Sequence, residues 1–308
     1  MPLVSVIIPC YFNEDNIPST FLRLLENEDL FPEDVALEYV FVDDGSKDNT
    51  LQVLMTLKQH YPEKVKVVKL AKNVGSYNAV IAGMEYAEGD CSAIISADLQ
   101  DPPALMVRMY GYWQNGVKLI IGHREVREDP MLQRFFSWGF HKVMRKIAFD
   151  KLPAGGFDFV FFDRRIREEI LKIKDPNSNV MYLMAWLGFD YVTIPYKREK
   201  REIGTSKWTF SKKLKLFLDS VLAFSFYPIR AISVTGMVLG SIAFLYGVFV
   251  LFAKATGQVA VEGWTALMVV LLFVSSFQMI ALGVIGEYVW RALDASRKRP
   301  LYIVESVH

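Results

Sequence analysis

Short runs of β-branched and aromatic residues recur along the first 125 positions of the chain. They fall at 4–9 (VSVIIP), 39–43 (YVFVD), 65–70 (VKVVKL), 92–97 (SAIISA) and 118–122 (KLIIG). Continuous apolar runs of this length predict strands buried on both faces. Between them, helical stretches are predicted over 16–28, 49–60, 76–88 and 102–114. The second follows DGSKDNT, rich in residues that form turns and cap helix starts. Strands alternating with helices predict an α/β domain with a mainly parallel sheet. In such a sheet, ligands bind beyond the carboxyl ends of the strands.

The pattern changes near residue 230. Residues 231–253 carry no charge, and neither do residues 263–286. A bilayer core of about 30 Å needs about 20 apolar helical residues, so each stretch is long enough to span it. Buried core helices are the competing explanation, but soluble helices seldom run so long without charge. Lys212, Lys213, Lys215 and Arg230 precede the first span, and Arg291, Arg297, Lys298 and Arg299 follow the second. The loop between them holds only Lys254 and Glu262 as charges. The positive-inside rule puts the large domain and both termini in the cytoplasm, and Trp264 and Trp290 bracket the second span as interface anchors. The start, MPLVSVIIPC, lacks the basic region of a secretory signal. The expected organisation is an α/β domain at 1–210, an interfacial amphipathic region at 211–230, a transmembrane hairpin at 231–290 and a cytoplasmic tail at 291–308.

Composition narrows the function. Across 308 residues, 35 basic side chains face 34 acidic ones, for a net charge of +1. That argues against a generally basic nucleic-acid binder. Only two cysteines occur, Cys10 and Cys91, with no CxxC pair, so neither a disulfide scaffold nor a zinc site is expected. The four histidines are dispersed without metal-ligand spacing.

Polar residues follow each strand. PCYFNED brings Pro9, Tyr11, Phe12, Asn13 and Glu14; Asp43-Asp44-Gly45-Ser46 follows the second strand and Lys72-Asn73-Val74-Gly75 the third. SADLQDPP brings Asp98, Gln100 and Asp101, and GHREVRED brings Arg124 and Arg127. An acidic pair after one strand is a common helix cap, but five polar strand ends together suggest recognition of a nucleotide diphosphate. Asp98 and Gln100 offer hard oxygen donors suited to Mg2+ or Mn2+ bridging to a pyrophosphate. The chain has neither GxxxxGK[ST] nor a GxGxxG after a strand, which argues against P-loop hydrolysis and Rossmann hydride transfer.

PCYFNED, VDDGSKDNT, NVG and SADLQDPP resemble the family 2 glycosyltransferases of GT-A fold. REIGTSKW and the two apolar stretches extend the resemblance, over nearly the whole chain, to polyprenyl-phosphate glycosyltransferases such as dolichol-phosphate mannose synthase and bactoprenol glucosyltransferases. The resemblance implies a Rossmann-like GT-A domain followed by amphipathic juxtamembrane helices and two transmembrane helices, in the bacterial inner membrane. It makes Pro9, Tyr11, Asn13, Glu14, Asp43, Asp44, Asn73, Asp98 and Gln100 nucleotide-sugar contacts, with Asp98 and Gln100 as metal ligands. Arg124, Arg127, Arg134, Arg198, Arg201, Ser206 and Lys207 would hold phosphates, chiefly those of the lipid acceptor. Ser96 stands where many relatives carry an aspartate, and Phe12 is additional to the PxYNE pattern, leaving open which of Tyr11 and Phe12 faces the base. No QxxRW occurs, so transfer of a single sugar fits better than polymerisation.

Residues 197–215 carry eight basic and two acidic side chains, a local charge of +6. Attraction to anionic headgroups explains part of this. Gly204 and Ser206 in IGTSKW would also let backbone approach a phosphate. Leu214, Phe217, Leu218, Val221, Leu222 and Phe224 then recur at helical spacing, as in an interfacial helix. Asp158, in GGFDFVFFDRR, is a candidate base or sugar-hydroxyl ligand, with a strand-start cap as the alternative. The expected reaction is inverting transfer of one sugar, UDP-glucose being the preferred donor, to polyprenyl (undecaprenyl) phosphate by a homo-oligomer, possibly a tetramer. GDP-mannose or a modified UDP-sugar, a non-phosphate lipid acceptor, and a non-catalytic nucleotide-sugar binder are the alternatives.

Overall fold

The computed structural model describes residues 1–98, 100–124, 157, 159–173, 175, 178–199, 227–256 and 263–308. The chain forms two compact units, Met1–Ser220 with Pro300–His308, and Val221–Arg299.

The first unit is built on an eight-stranded sheet. In chain order its described elements are β1 (Leu3–Cys10), α1 (Ile17–Glu28), β2 (Ala36–Asp43), α2 (Thr50–His60), β3 (Val65–Leu70), α3 (Ser76–Tyr86), β4 (Cys91–Ile94), α4 (Leu105–Gln114), β5 (Leu119–Arg124), β6 (Phe159–Asp163), α5 (Arg164–Lys172), α6 (Val180–Trp186), β7 (Tyr191–Tyr196) and, from the C-terminus, β8 (Val304–Val307). Their order across the sheet is β7-β5-β6-β4-β1-β2-β3-β8. All five strands and four helices expected from the pattern are present. Strands β1–β4 form a parallel block, and β5 pairs in parallel with β7. Strand β6 runs antiparallel between β4 and β5, and β8 runs antiparallel on β3.

Burial explains the continuous apolar runs. Val4, Val6, Ile8 and Cys10 of β1 join one core with Phe21 and Leu24 of α1, Leu54 of α2, and Met106 and Tyr110 of α4. On the other face α3 packs against β1 and β2 and contacts α5 and α6. Gly83 makes that approach possible: a Cβ there would lie 2.5 Å from Ile7 Cγ2 and 3.0 Å from Val42 Cγ2. Asp163 caps α5 by accepting from Arg165 N–H at 2.9 Å, and Asn179 caps α6 through Met181 N–H, also at 2.9 Å.

Several boundaries shift from the expected ones, three of them for a visible reason. Strand β4 ends at Ile94 because Ser96 turns away to bond carboxylates in the following loop. Helix α4 begins at Leu105, after Pro102 and Pro103 have formed a turn that accepts from Leu105 and Met106 N–H. The segment 291–308 is not a simple tail. The last helix runs to Ser296, and the C-terminus then rejoins the sheet as β8. Val67 and His308 exchange backbone bonds of 3.0 and 2.9 Å, and Lys69 pairs with Glu305 at 2.7 Å.

The second unit contains α7 (Tyr227–Ala255) and α8 (Trp264–Ser296). At about 1.5 Å per residue, each exceeds the thickness of a bilayer core. Tyr227–Phe249 and Val269–Ser296 are long and apolar enough to cross a membrane, and neither window is buried by protein. Phe244, Phe252, Met279 and Leu282 are among the large apolar side chains left exposed. Gly236 sits under Phe277 of α8, whereas nothing lies within 4 Å of a Cβ built on Gly240. Of these two glycines, four residues apart on α7, only Gly236 faces a side chain of α8 at van der Waals distance.

Candidate active site

The carboxyl ends of β1, β2, β4, β5 and β7 lie along one edge of the sheet, and the polar loops are tied together there. Phe12 holds a left-handed backbone, φ 55°, which is strained for a bulky residue. Its N–H donates to Ser46 Oγ at 3.1 Å. Asn13 N–H donates to Thr50 Oγ1 at 2.9 Å, and Glu14 Oε2 accepts from Asn49 N–H at 2.8 Å. These bonds lash the β1 loop to the start of α2. Tyr11 N–H donates to Asn13 Oδ1 at 2.8 Å, so the Asn13 and Glu14 side chains brace the loop. Tyr11 and Phe12 meet edge to face, ring centroids 4.5 Å apart, and are 37% and 38% exposed.

The two aspartates after β2 divide their work. Asp44 Oδ1 accepts from Val74 N–H at 2.7 Å and Oδ2 from Gly75 N–H at 3.0 Å, pinning the loop after β3. Burial pushes its carboxyl up to about 6 against those two bonds. Asp43 is also buried, and its Oδ1 accepts from Ser46 N–H at 3.0 Å. Its Oδ2 is buried with no partner among the described residues, and burial raises this carboxyl as well. Gly45, φ +66°, lets the β3 loop close in: a Cβ there would lie 2.8 Å from both Asn73 N and Lys72 C. Asn73 itself is exposed beside this contact.

The loop after β4 is the most densely bonded. Asp98 Oδ1 accepts from Ser96 Oγ at 2.6 Å and from Gln100 N–H at 3.3 Å. Ser96 Oγ also lies 3.1 Å from Asp101 Oδ2. Asp101 is fully buried, and its Oδ1 accepts from Tyr196 Oη at 2.6 Å, with Arg198 Nε 3.9 Å away. Arg124 is opposite Tyr196 in the β5–β7 register and bonds the same tyrosine. Glu199 N–H donates to Gln100 O at 2.9 Å, while Gln100 Nε2 faces Glu199 O at 3.5 Å. An amide can ligate a metal only through its oxygen, so Oε1 is the atom Gln100 would offer. Among the described residues, no group of three or more His, Cys, Asp or Glu is arranged to hold a metal by itself. One carboxylate and one amide oxygen nevertheless suit Mg2+ or Mn2+, with substrate and water oxygens completing the shell.

Of the expected site residues, the structure gathers Pro9, Tyr11, Asn13, Glu14, Asp43, Asp44, Asn73, Asp98, Gln100, Arg124 and Arg198 at or beside this edge. Arg127, Arg134, Asp158, Arg201, Ser206 and Lys207, with the amphipathic stretch up to residue 226, lie outside the described residues. Tyr196 and the bridging role of Ser96 and Asp101 were not anticipated. Tyr196 is 95 positions from Asp101 on a strand without a strong pattern, so only folding joins them. The IPY run before the basic segment was its one local signal.

A mainly parallel sheet with one antiparallel strand inserted, and the Asp98–Gln100 loop at its carboxyl edge, is the architecture of the GT-A fold. Residues 5–173 match glycosyl transferase family 2, and the chain belongs to that family. The likeness to curated relatives runs from end to end. An uncharacterized glycosyltransferase, YkcC, of Bacillus subtilis is 34% identical over 302 residues, covering 98% of this chain and 93% of that one. A prophage bactoprenol glucosyl transferase homolog of Escherichia coli is 32% identical over 305 residues, 99% of both chains. The bactoprenol glucosyl transferase of Shigella phage SfV is 31% identical over 304 residues, 98% of both.

Proposed function

We propose that this glycosyltransferase moves a single sugar from a nucleotide sugar to polyprenyl phosphate at the cytoplasmic face of a bacterial inner membrane. The observation that carries the reading is the 99% coverage of both chains in the match to the Escherichia coli bactoprenol glucosyl transferase homolog, apolar helices included. UDP-glucose is the preferred donor. The catalytic part is 1–210 together with the returning strand β8, with 211–230 at the interface and 231–290 in the membrane, and the protein works as a tetramer or other small homo-oligomer.

The chemistry follows from charge. A phosphate monoester has a second pKa of about 6, so the acceptor is largely ionised at neutral pH. It needs positioning more than a strong base. Arg124 and Arg198, with Arg127, Arg134, Arg201, Ser206 and Lys207, would hold the acceptor phosphate against the donor's negative charge. Asp98 and Gln100 would hold Mg2+ or Mn2+, which when bound neutralises the departing nucleoside diphosphate. Asp43 and the Tyr11–Phe12 pair would receive the base and ribose, and Asp158 would bind a sugar hydroxyl or take a proton. A direct displacement by the acceptor oxygen inverts the anomeric carbon.

The test uses the full chain in detergent with Mn2+ or Mg2+, polyprenyl phosphate and radiolabelled UDP-glucose, UDP-galactose, UDP-N-acetylglucosamine or GDP-mannose. Label should enter the organic phase with one donor and be lost with Asp98→Ala. Nucleotide binding without any labelled lipid would overturn the acceptor, and diacylglycerol would be offered next.

A further inference from the structure

Asp101 needs an explanation that the fold alone does not give. Its carboxylate is fully buried one turn of loop behind Asp98. Burying an ionised carboxylate is costly unless hydrogen bonds and charge offset it. Tyr196 Oη at 2.6 Å supplies one strong bond, and Arg198 Nε at 3.9 Å a partial countercharge. Its other oxygen faces Ser96 Oγ at 3.1 Å, and the same Ser96 oxygen is 2.6 Å from Asp98 Oδ1.

A serine hydroxyl has one proton to donate. Here it stands between two carboxylates. The shorter contact, 2.6 Å, is the one to Asp98, and the 3.1 Å contact to Asp101 holds the hydroxyl from behind. Asp101 is fully buried, whereas Ser96 and Asp98 are half-buried, so the anchor lies on the protein side of the pair. The arrangement also fixes the Ser96 rotamer from behind, and Ser96 in turn fixes the Asp98 carboxylate.

We propose that Asp101 is a positioning residue for the metal site: anchored by Tyr196, it holds Ser96 and through it orients the Asp98 carboxylate for a divalent cation. The inference rests on Asp98 and Gln100 being the metal-binding pair. A bond network that only ties β7 to the β4 loop would stabilise the fold without changing cation affinity.

Mn2+ binding to the full chain in detergent, with UDP present, separates these roles. Free Mn2+ is read by electron paramagnetic resonance, and thermal midpoints are read in parallel without metal. Outer-shell partners of metal ligands are worth about 10- to 100-fold in affinity. Asp101→Asn should therefore weaken Mn2+ about 10-fold, even where its thermal midpoint stays near that of the unaltered chain. Ser96→Ala should weaken Mn2+ to a similar degree. The double variant should lose no more than the worse single one, because the two act in series. Tyr196→Phe, which removes one hydroxyl, should shift Mn2+ affinity in the same direction by less and guards against failure of Asp101→Asn to fold. Mn2+ affinity within twofold of the unaltered chain in Asp101→Asn and Tyr196→Phe would overturn the proposal, as would independent, additive losses. If the unaltered chain shows no UDP-dependent Mn2+ binding, or Asp98→Ala leaves it intact, the metal site itself is wrong; that result is distinct from a failure at Asp101 alone.

Discussion

Asp44 shows how one carboxyl can record the tension in this site. It bonds two backbone N–H groups, yet burial outweighs them and pushes its carboxyl from 3.8 up to about 6. Below the unfolded value both states hold the proton. Between about 4 and 6 only the folded state retains it, so stability falls as pH rises through that window. Asp43, raised by burial as well, adds to the same slope. Replacing Asp44 with Asn should flatten the thermal midpoint between pH 4 and pH 6. Parallel pH curves for the variant and the unaltered chain would sink the idea. The motif VDDGS was legible as a site signal, but its division was not. Whether an aspartate spends its oxygens on a neighbouring loop depends on where residues 30 positions away arrive.

At the scale of elements, close packing decides more than propensity. Gly83 lies in mid-helix, where glycine is intrinsically unfavourable. It is tolerated because α3 would otherwise strike Ile7 and Val42, both stiff β-branched side chains. Gly83→Ala should cost about 1–3 kcal/mol, the usual range for overpacking, read as a lowered thermal midpoint. An unchanged midpoint would mean that α3 can lift off the sheet. Strand β8 makes a second case. It caps the β3 edge, and Ala71 N–H bonds Ile303 O at 2.9 Å just before the loop that Asp44 holds. Deleting 304–308 should lower the midpoint and increase aggregation by exposing an unpaired edge. Equal stability and solubility after deletion would show that β8 does neither. Periodicity identified β1–β5 because each falls in a continuous apolar run of the sequence, β4 included although only four of its residues pair. β8, with sequence VESV, is half polar and has no buried residue, and β7 alternates only weakly.

For the whole molecule, the two apolar helices predict behaviour that the catalytic unit would not. Their large side chains are exposed to whatever surrounds the protein, and in water that surface would drive aggregation. The chain should remain in the membrane fraction through alkaline carbonate washing and be released by detergent. Protease should cut the catalytic unit in inverted inner-membrane vesicles and spare it in spheroplasts. Release by carbonate would argue against spanning helices, and cutting in spheroplasts would reverse the orientation.

The sequence by itself determined the alternating α/β plan, the strand ends that bear the chemistry, and the two apolar helices. Each depends on local composition or on a period shorter than one element, so neighbouring residues suffice to reveal it. Tertiary structure alone decided that β6 inserts antiparallel between β4 and β5, and that the C-terminus returns as β8. It also decided that Ser96, Asp101 and Tyr196 form one bonded chain. These are pairings between distant segments. Their energies come from buried hydrogen bonds that exist only after the sheet has brought the partners together.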